Sequence, residues 1–298
     1  MENTNKGIEH NKISPTAKIS GYWRSLSDIP FSKEIADSIG AEQTAKQMLG
    51  DRFSMLLNFT PPIMEARYKA IDLGLKKYKI VNVLELAAGL SPRGLGLAAS
   101  NIRYVGTDLP EIYSECYPII NEIALRLGVP TDNLHYQAAN VLNKSELENA
   151  VEHFHSEKFG ICNEGLLMYL NKEEKAIMAK NIRDLLSIGG GYWVSTDFVF
   201  NDVRNKLLNS LKPELKKTLE SVLGSVSSQV DRDIAGNDFK NEFEAIKFYE
   251  DLDFKIEKFP FYDGSYKLSS LTNIMEDLKE PVLNLLSTSM AWILTPNT

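Results

Sequence analysis

Cysteine and histidine are scarce, with 2 and 4 residues in a chain of 298. Cys116 and Cys162 are too few for a disulfide framework, and no Cys/His spacing of the kind that holds zinc occurs, so no metal site is expected. No apolar run approaches the roughly 20 residues of a membrane-spanning helix, and the polar N-terminus reads as no signal peptide. The expected location is therefore the cytoplasm, without membrane contact. Basic runs are missing as well. With 33 Lys and Arg against 40 Asp and Glu, a net charge of −7 and a pI ≈ 5.3, the chain lacks the clustered cations from which nucleic-acid binding draws most of its affinity. Two phosphate-binding signatures are also absent. There is no Gly-x-x-x-x-Gly-Lys-Ser/Thr loop, and the best strand–turn–helix stretch offers Ala87, Gly89 and Ser91 where a dinucleotide fingerprint needs three glycines.

What is present is an ordinary globular composition, 43% hydrophobic, long enough for one large α/β domain with an insertion. Its centre is Ile80 to Leu97, IVNVLELAAGLSPRGLGL. An apolar run of strand length gives way to small residues and then to a Leu-rich helical pattern. Glu85 falls at the end of this strand, Gly89 where the backbone turns closely, and Pro92 where the first turn of a helix tolerates a missing N–H. A second short strand, NIRYVGTD, ends at Asp108. An ionised carboxylate there has two accepting oxygens, enough for both hydroxyls of a ribose. Small residues, two acids and no phosphate cradle suit a nucleoside that carries an amino acid instead of a phosphate, as S-adenosylmethionine does. Strand ends in any α/β domain are rich in Asp and Gly, so the acids alone leave an unliganded loop open as the alternative.

The strings LELAAGLSPRGL, TDLPEI, AANVL and NEGLLMYL together resemble the leucine carboxyl methyltransferase family and its bacterial polyketide-type O-methyltransferase relatives. The resemblance runs from about Lys12 onward and is loose through Asn201 to Ala245 and at the C-terminus. It implies a class I, Rossmann-like fold: a doubly wound, seven-stranded, mostly parallel sheet with an antiparallel C-terminal strand. It also implies S-adenosylmethionine as cofactor. Arg67 would hold the cofactor's carboxylate, with Glu85, Ala87 and Gly89 at the turn beside the methionine moiety. Asp108 and Leu109 would take the ribose, and Asn140 and Val141 would flank the adenine. Glu164 would sit near the sulfonium, and Tyr169 would line the acceptor site. The sequence departs from the family pattern at Asn140, where Asp is usual, and at Ser91–Pro92, where Asp–Thr is common.

The remaining organisation follows from punctuation and period. Residues 1–12 read as a disordered tail, 13–78 as a helical cap, 79–200 as the cofactor-binding core, 201–245 as a helical lid insertion and 246–298 as the end of the core. The resemblance implies that the cap folds over the cofactor, whereas Tyr22 and Trp23 by themselves read as aromatic anchors. Arg67 read without the resemblance is a solvated helix residue paired with Asp72. Cys162 reads as a small core residue. The segment 201–245 is too long for an ordinary connection and fits a lid over the acceptor or a solvent-facing helix pair equally well.

The expected chemistry is in-line methyl transfer to an oxygen of a small-molecule acceptor, driven by proximity and exclusion of water. A carboxylate acceptor needs no base. A hydroxyl does, and His10, His135, His153 and His155 fall in the tail, in a strand and at a polar helix end, leaving a loop acid such as Asp263 for a phenol. Carboxyl methylation of a protein C-terminus, a regulator that binds the cofactor without turnover, and an NAD-dependent oxidoreductase remain as alternatives. Ala87 and Ser91 count against the last.

Overall fold

The computed structural model describes residues 15–297 apart from 156, 211–212, 214–215, 218–219 and 222–233. The expected tail, 1–12, lies outside the described residues. Seven strands form one sheet: β1 (Asn82–Leu86), β2 (Arg103–Asp108), β3 (Leu134–Ala138), β4 (Phe159–Asn163), β5 (Gly191–Ser195), β6 (Phe254–Pro260) and β7 (Met290–Pro296). Their spatial order is β3-β2-β1-β4-β5-β7-β6. The first five are parallel, and β7 runs antiparallel to both β5 and β6. The doubly wound Rossmann-like sheet with an antiparallel last strand is thus the fold of this chain.

The apolar runs explain which strands are central. Every residue of β1 and of β4 is buried, as expected of parallel strands covered on both faces. On one face, Leu84, Leu86 and Ile161 pack against α8 (Lys144–Val151), α9 (Lys172–Gly189) and the helix Glu242–Glu250. On the other, Val83, Tyr104 and Cys162 meet α5 (Thr60–Lys77), α6 (Arg93–Ala99) and α7 (Pro110–Leu127). The strand order reverses between β1 and β4. The loops after these strands therefore part and leave a crevice at their C-terminal ends, the place where open α/β sheets take ligands.

Ahead of the sheet, α1 (Pro15–Ser25), α2 (Ser32–Ser38), α3 (Ala41–Leu49) and α4 (Phe53–Leu57) build a small core of their own. Tyr22 and Trp23 anchor it, with ring centroids 5.7 Å from Phe53 in both cases. The opposite side of α1 faces the crevice. One helix thus carries both the aromatic anchor and the cover that the sequence offered as competing readings.

After β6 the chain makes a 3-10 turn at Ser269–Asn273 before the helix Glu276–Thr288. Buried Glu65 of α5 causes this: its carboxylate accepts from the N–H and hydroxyl groups of both Ser269 and Ser270, at 2.5–3.0 Å, and pins the segment as a turn. Within 201–245, the helix Asn201–Ser210 is tied back by the Arg204–Asp238 ion pair, 2.6 Å, and Asn237 donates to the Met168 carbonyl at 3.0 Å. None of the described residues of that segment lines the crevice, whose roof is α1.

Candidate functional site

The turn after β1 is held without glycine at its first bend: Ala87 takes φ +51 and Gly89 takes φ +48. Its amides are spent internally. Ala88 N–H donates to the Thr107 carbonyl at 2.9 Å, Ser91 N–H to the Ala88 carbonyl at 2.8 Å, and Gly89 N–H to Asp108 Oδ2 at 2.8 Å. Ser91 Oγ accepts the Arg93 N–H at 3.3 Å and so supplies the start of α6. A side chain at Gly89 would meet only Asp108 Oδ2, at 3.8 Å, so the cost of adding one lies in the backbone. Gly89→Ala should lower the unfolding free energy by about 1 kcal/mol, the left-handed penalty less the gain from a stiffer unfolded chain. Urea denaturation measures it, and an unchanged midpoint would contradict this reading of the turn.

These elements open onto a cavity of about 390 Å³, which brings together the residues that the family resemblance named for the cofactor and acceptor: Arg67, Glu85, Ala87, Gly89, Asp108, Leu109, Asn140, Val141, Glu164 and Tyr169. Asp108 closes β2. Its Oδ1 accepts the Leu109 N–H and its Oδ2 the Gly89 N–H, both at 2.8 Å, which leaves a lone pair on each oxygen for a ligand. Burial pushes its carboxyl up to about 6, against the two backbone donors that lower it. At Asn140 the side chain and backbone both take part in the local turn. The side-chain amide oxygen accepts the Leu142 N–H at 2.9 Å, and the Asn140 N–H donates to Glu146 Oε2 at 2.6 Å. The Leu142 N–H uses one of the two lone pairs of the Asn140 amide oxygen, and the residue lines the cavity.

The opposite wall is a charge cluster. Glu164 follows β4 and accepts from Arg24 Nη2 at 3.1 Å. Arg67 Nε stands 4.0 Å away and Arg93 Nη2 stands 3.6 Å away. Burial alone would raise the Glu164 carboxyl; the three guanidiniums outweigh it and hold the group below the usual carboxylate range. Arg67 is paired with Asp197 at 2.9 Å and not with Asp72, whose partner is Arg93. Arg93 is fully buried, donates to Glu85 Oε1 at 3.3 Å, and lies 4.0 Å over the Tyr68 ring. Glu85 completes its own pairing with the Tyr104 hydroxyl at 2.8 Å. Three guanidiniums thus face the four carboxylates of Asp72, Glu85, Glu164 and Asp197, leaving one negative charge in excess, to which Asp108 adds another. The cavity favours a ligand that brings positive charge. Two buried nitrogens of residues that line it, Arg24 Nε and Arg67 Nε, make no hydrogen bond among the described residues and suit an anionic group on the same ligand.

Sequence reading missed Arg24, Arg93 and Asp197. Arg24 shares the cavity-facing side of α1 with Ala17 and Ser20, a helical spacing overshadowed by the neighbouring Tyr–Trp pair. Tyr169, which shares a side-chain hydrogen bond with Thr16 of α1, has its hydroxyl raised by burial. Cys116 also lines the cavity, with a thiol pushed up by burial to about 12. No histidine among the described residues lines the cavity. Asp263, suggested as a loop acid, lies exposed outside it and accepts the Ser265 N–H. Among the described residues, no cluster of His, Cys, Asp or Glu would hold a metal and no helix is long and apolar enough to cross a membrane.

No family model matches the chain, and no curated protein matches it either. Solved structures of similar shape include the methyltransferase domain of bacterial CtHen1, 10% identical with a TM-score of 0.46 over 78% of this chain and 98% of that one. PKMT2 of Rickettsia typhi, in complex with AdoHcy, is 12% identical with a TM-score of 0.42 over 81% of this chain and 53% of that one. Magnesium protoporphyrin IX methyltransferase of Synechocystis, with bound SAH, is 12% identical with a TM-score of 0.40 over 94% of this chain and 95% of that one. At such identities and scores, nothing about ligand, substrate or partner passes from them to this chain.

Proposed function

We propose that this protein is an S-adenosylmethionine-dependent O-methyltransferase with a small-molecule acceptor, of the kind the motif strings resemble in the leucine carboxyl methyltransferase family. The observation that carries the reading is the cavity at the β1/β4 switch point, negative in balance, closed by Asp108 with one free lone pair per oxygen. The residues fit the cofactor. Asp108 accepts the two ribose hydroxyls. The Nε groups of Arg24 and Arg67, which make no hydrogen bond among the described residues, take the carboxylate. The Val141 N–H and the Asn140 amide nitrogen flank the adenine. The excess negative charge of the far wall balances the cation. A pyrophosphate fits badly, since the amides of Ala88, Gly89 and Ser91 that would cradle it are already donated within the chain. This counts against an NAD-dependent oxidoreductase.

When bound, the cofactor supplies an electrophilic methyl group on sulfur. The chain's part is to orient and to exclude water. Thr16, Ala17 and Ser20 of α1 roof the cavity, and Met168, Tyr169 and Leu170 wall the space left for an acceptor. Of the described titratable groups nearest this space, Glu164 is held below the usual carboxylate range and the Tyr169 hydroxyl is raised above its own, as is the Cys116 thiol elsewhere in the cavity. That favours an acceptor already ionised, a carboxylate, over a neutral hydroxyl. A transfer screen with tritiated methyl donor against small carboxylic acids, phenols and peptide C-termini tests the reading. Labelled esters of small acids are the expected product, and labelled peptide would shift it to protein carboxyl methylation. No product despite tight cofactor binding would leave a non-catalytic regulator.

The pH dependence is specific. Ribose hydroxyls donate to an ionised Asp108, so cofactor affinity should fall as pH drops below about 6, up to tenfold per unit. Stability moves the other way. A carboxyl raised in the folded state contributes stability that is fully present below its unfolded value and is lost as pH rises through about 6. Calorimetric titrations at a series of pH values should show the fall in wild type and a flat profile in Asp108→Ala.

A further inference from the structure

We infer that Asp197, which lines no part of the cavity, is the positioning residue for the wall formed by Arg67, Glu164 and Tyr169; the methyltransferase reading enters only in the choice of ligand that reports it. Asp197 lies two residues beyond β5 and is 8% exposed. Its Oδ1 accepts the Gly165 N–H at 2.7 Å and Arg67 Nη2 at 2.9 Å. Its Oδ2 accepts the Leu166 N–H at 2.7 Å, the Leu167 N–H at 3.1 Å and Asn163 Nδ2 at 2.7 Å. Two oxygens offer about four lone-pair sites, so these donors saturate the carboxylate and leave none for a ligand.

Three consecutive amides aimed at one carboxylate make a backbone nest whose shape the anion dictates. The nest begins directly after Glu164, turns at Gly165 with φ +80, and leads into the 3-10 turn Leu167–Tyr169. Its position therefore sets both cavity-wall residues that flank it. The same carboxylate holds Arg67 by Nη2, and the buried Arg67 Nε makes no hydrogen bond among the described residues, with Glu164 Oε1 4.0 Å away. Behind it, Asn163 Oδ1 accepts Trp193 Nε1 at 2.7 Å, which locks the amide so that its Nδ2 must point at Asp197. The anion thus reaches the ligand only through Arg67 and the nest.

Two variants of the full chain test this, each by two readouts. In Asp197→Asn, amide hydrogen exchange without ligand should show the protection of Gly165, Leu166 and Leu167 reduced at least about tenfold while β1 and β4 keep theirs. Asn163→Asp sets a second carboxylate against Oδ2, and like charges sharing a site bind a proton. Its nest should loosen near pH 8 and recover near pH 5, relative to wild type at the same pH, a reversal that a packing defect would not show; it also serves if Asp197→Asn fails to fold. By calorimetry with S-adenosylmethionine, Asp197→Asn should bind about tenfold more weakly than wild type. Combined with Arg67→Ala it should lose little beyond Arg67→Ala alone. Unchanged exchange in the nest, a pH-independent Asn163→Asp, or strictly additive losses in the double variant would overturn the inference. Absence of S-adenosylmethionine binding in the wild-type titration would instead strike the proposed cofactor, with the exchange experiment still deciding the role of Asp197.

Discussion

Replacing Arg93 by Met should lower the unfolding free energy by about 3–5 kcal/mol, the loss typical of removing one partner from a buried ion cluster. Arg93 has no exposed surface, and its guanidinium joins Asp72 of α5 to Glu85 of β1 while lying over the Tyr68 ring. Without it, Glu85 keeps only the Tyr104 hydroxyl and Asp72 loses its guanidinium. Burial already pushes the Asp72 carboxyl up even with Arg93 in place, so protonation on loss of the cation is the expected escape. Arg93→Lys should recover only part of the loss, since a point charge cannot fork between two carboxylates and stack on a ring. Urea denaturation followed by circular dichroism measures both. A loss below about 1 kcal/mol for Arg93→Met would mean that water reaches this cluster.

Asp108→Ala should weaken S-adenosylmethionine binding by a factor of about 100 or more while the protein stays folded. Two hydrogen bonds to an ionised acceptor contribute about 1.5–3 kcal/mol each, and each tenfold in affinity corresponds to about 1.4 kcal/mol. The same carboxylate also steadies Gly89 and Leu109 through their N–H groups, so part of the loss is a looser turn. Asp108→Asn separates the contributions, because its amide keeps one oxygen acceptor and sets an N–H₂ group against donors. It should bind nearly as weakly as Asp108→Ala. Affinity within a factor of about three of wild type in either variant would remove the ribose assignment.

Local signals carried much of this far. Unbroken apolar runs mark strands buried on both faces, and β1 and β4 are those strands. Glu85, Asp108 and Glu164 fall near strand ends, where the topology of a doubly wound sheet gathers them around one cavity. Partners were not legible. Arg93 stands in a Leu- and Gly-rich helix start that carries no mark of an ion cluster. Its three carboxylates come from α5, β1 and the loop after β4. Arg67 was weighed against Asp72 because the two share a helix; its partner Asp197 is 130 positions away. Asn140 shows the converse limit. Its residue type suggests an acceptor for a ligand, and only the folded turn reveals that the Leu142 N–H already uses one lone pair of the oxygen.

Calorimetric titration of the wild-type protein with S-adenosylmethionine, its demethylated product and NAD is the most direct test of what the cavity holds. Saturable one-to-one binding of the first two at micromolar concentration, and no heat from NAD, is expected. NAD binding that displaces S-adenosylmethionine, or no binding by either sulfur nucleoside, would contradict the assignment of this cavity to a phosphate-free cofactor.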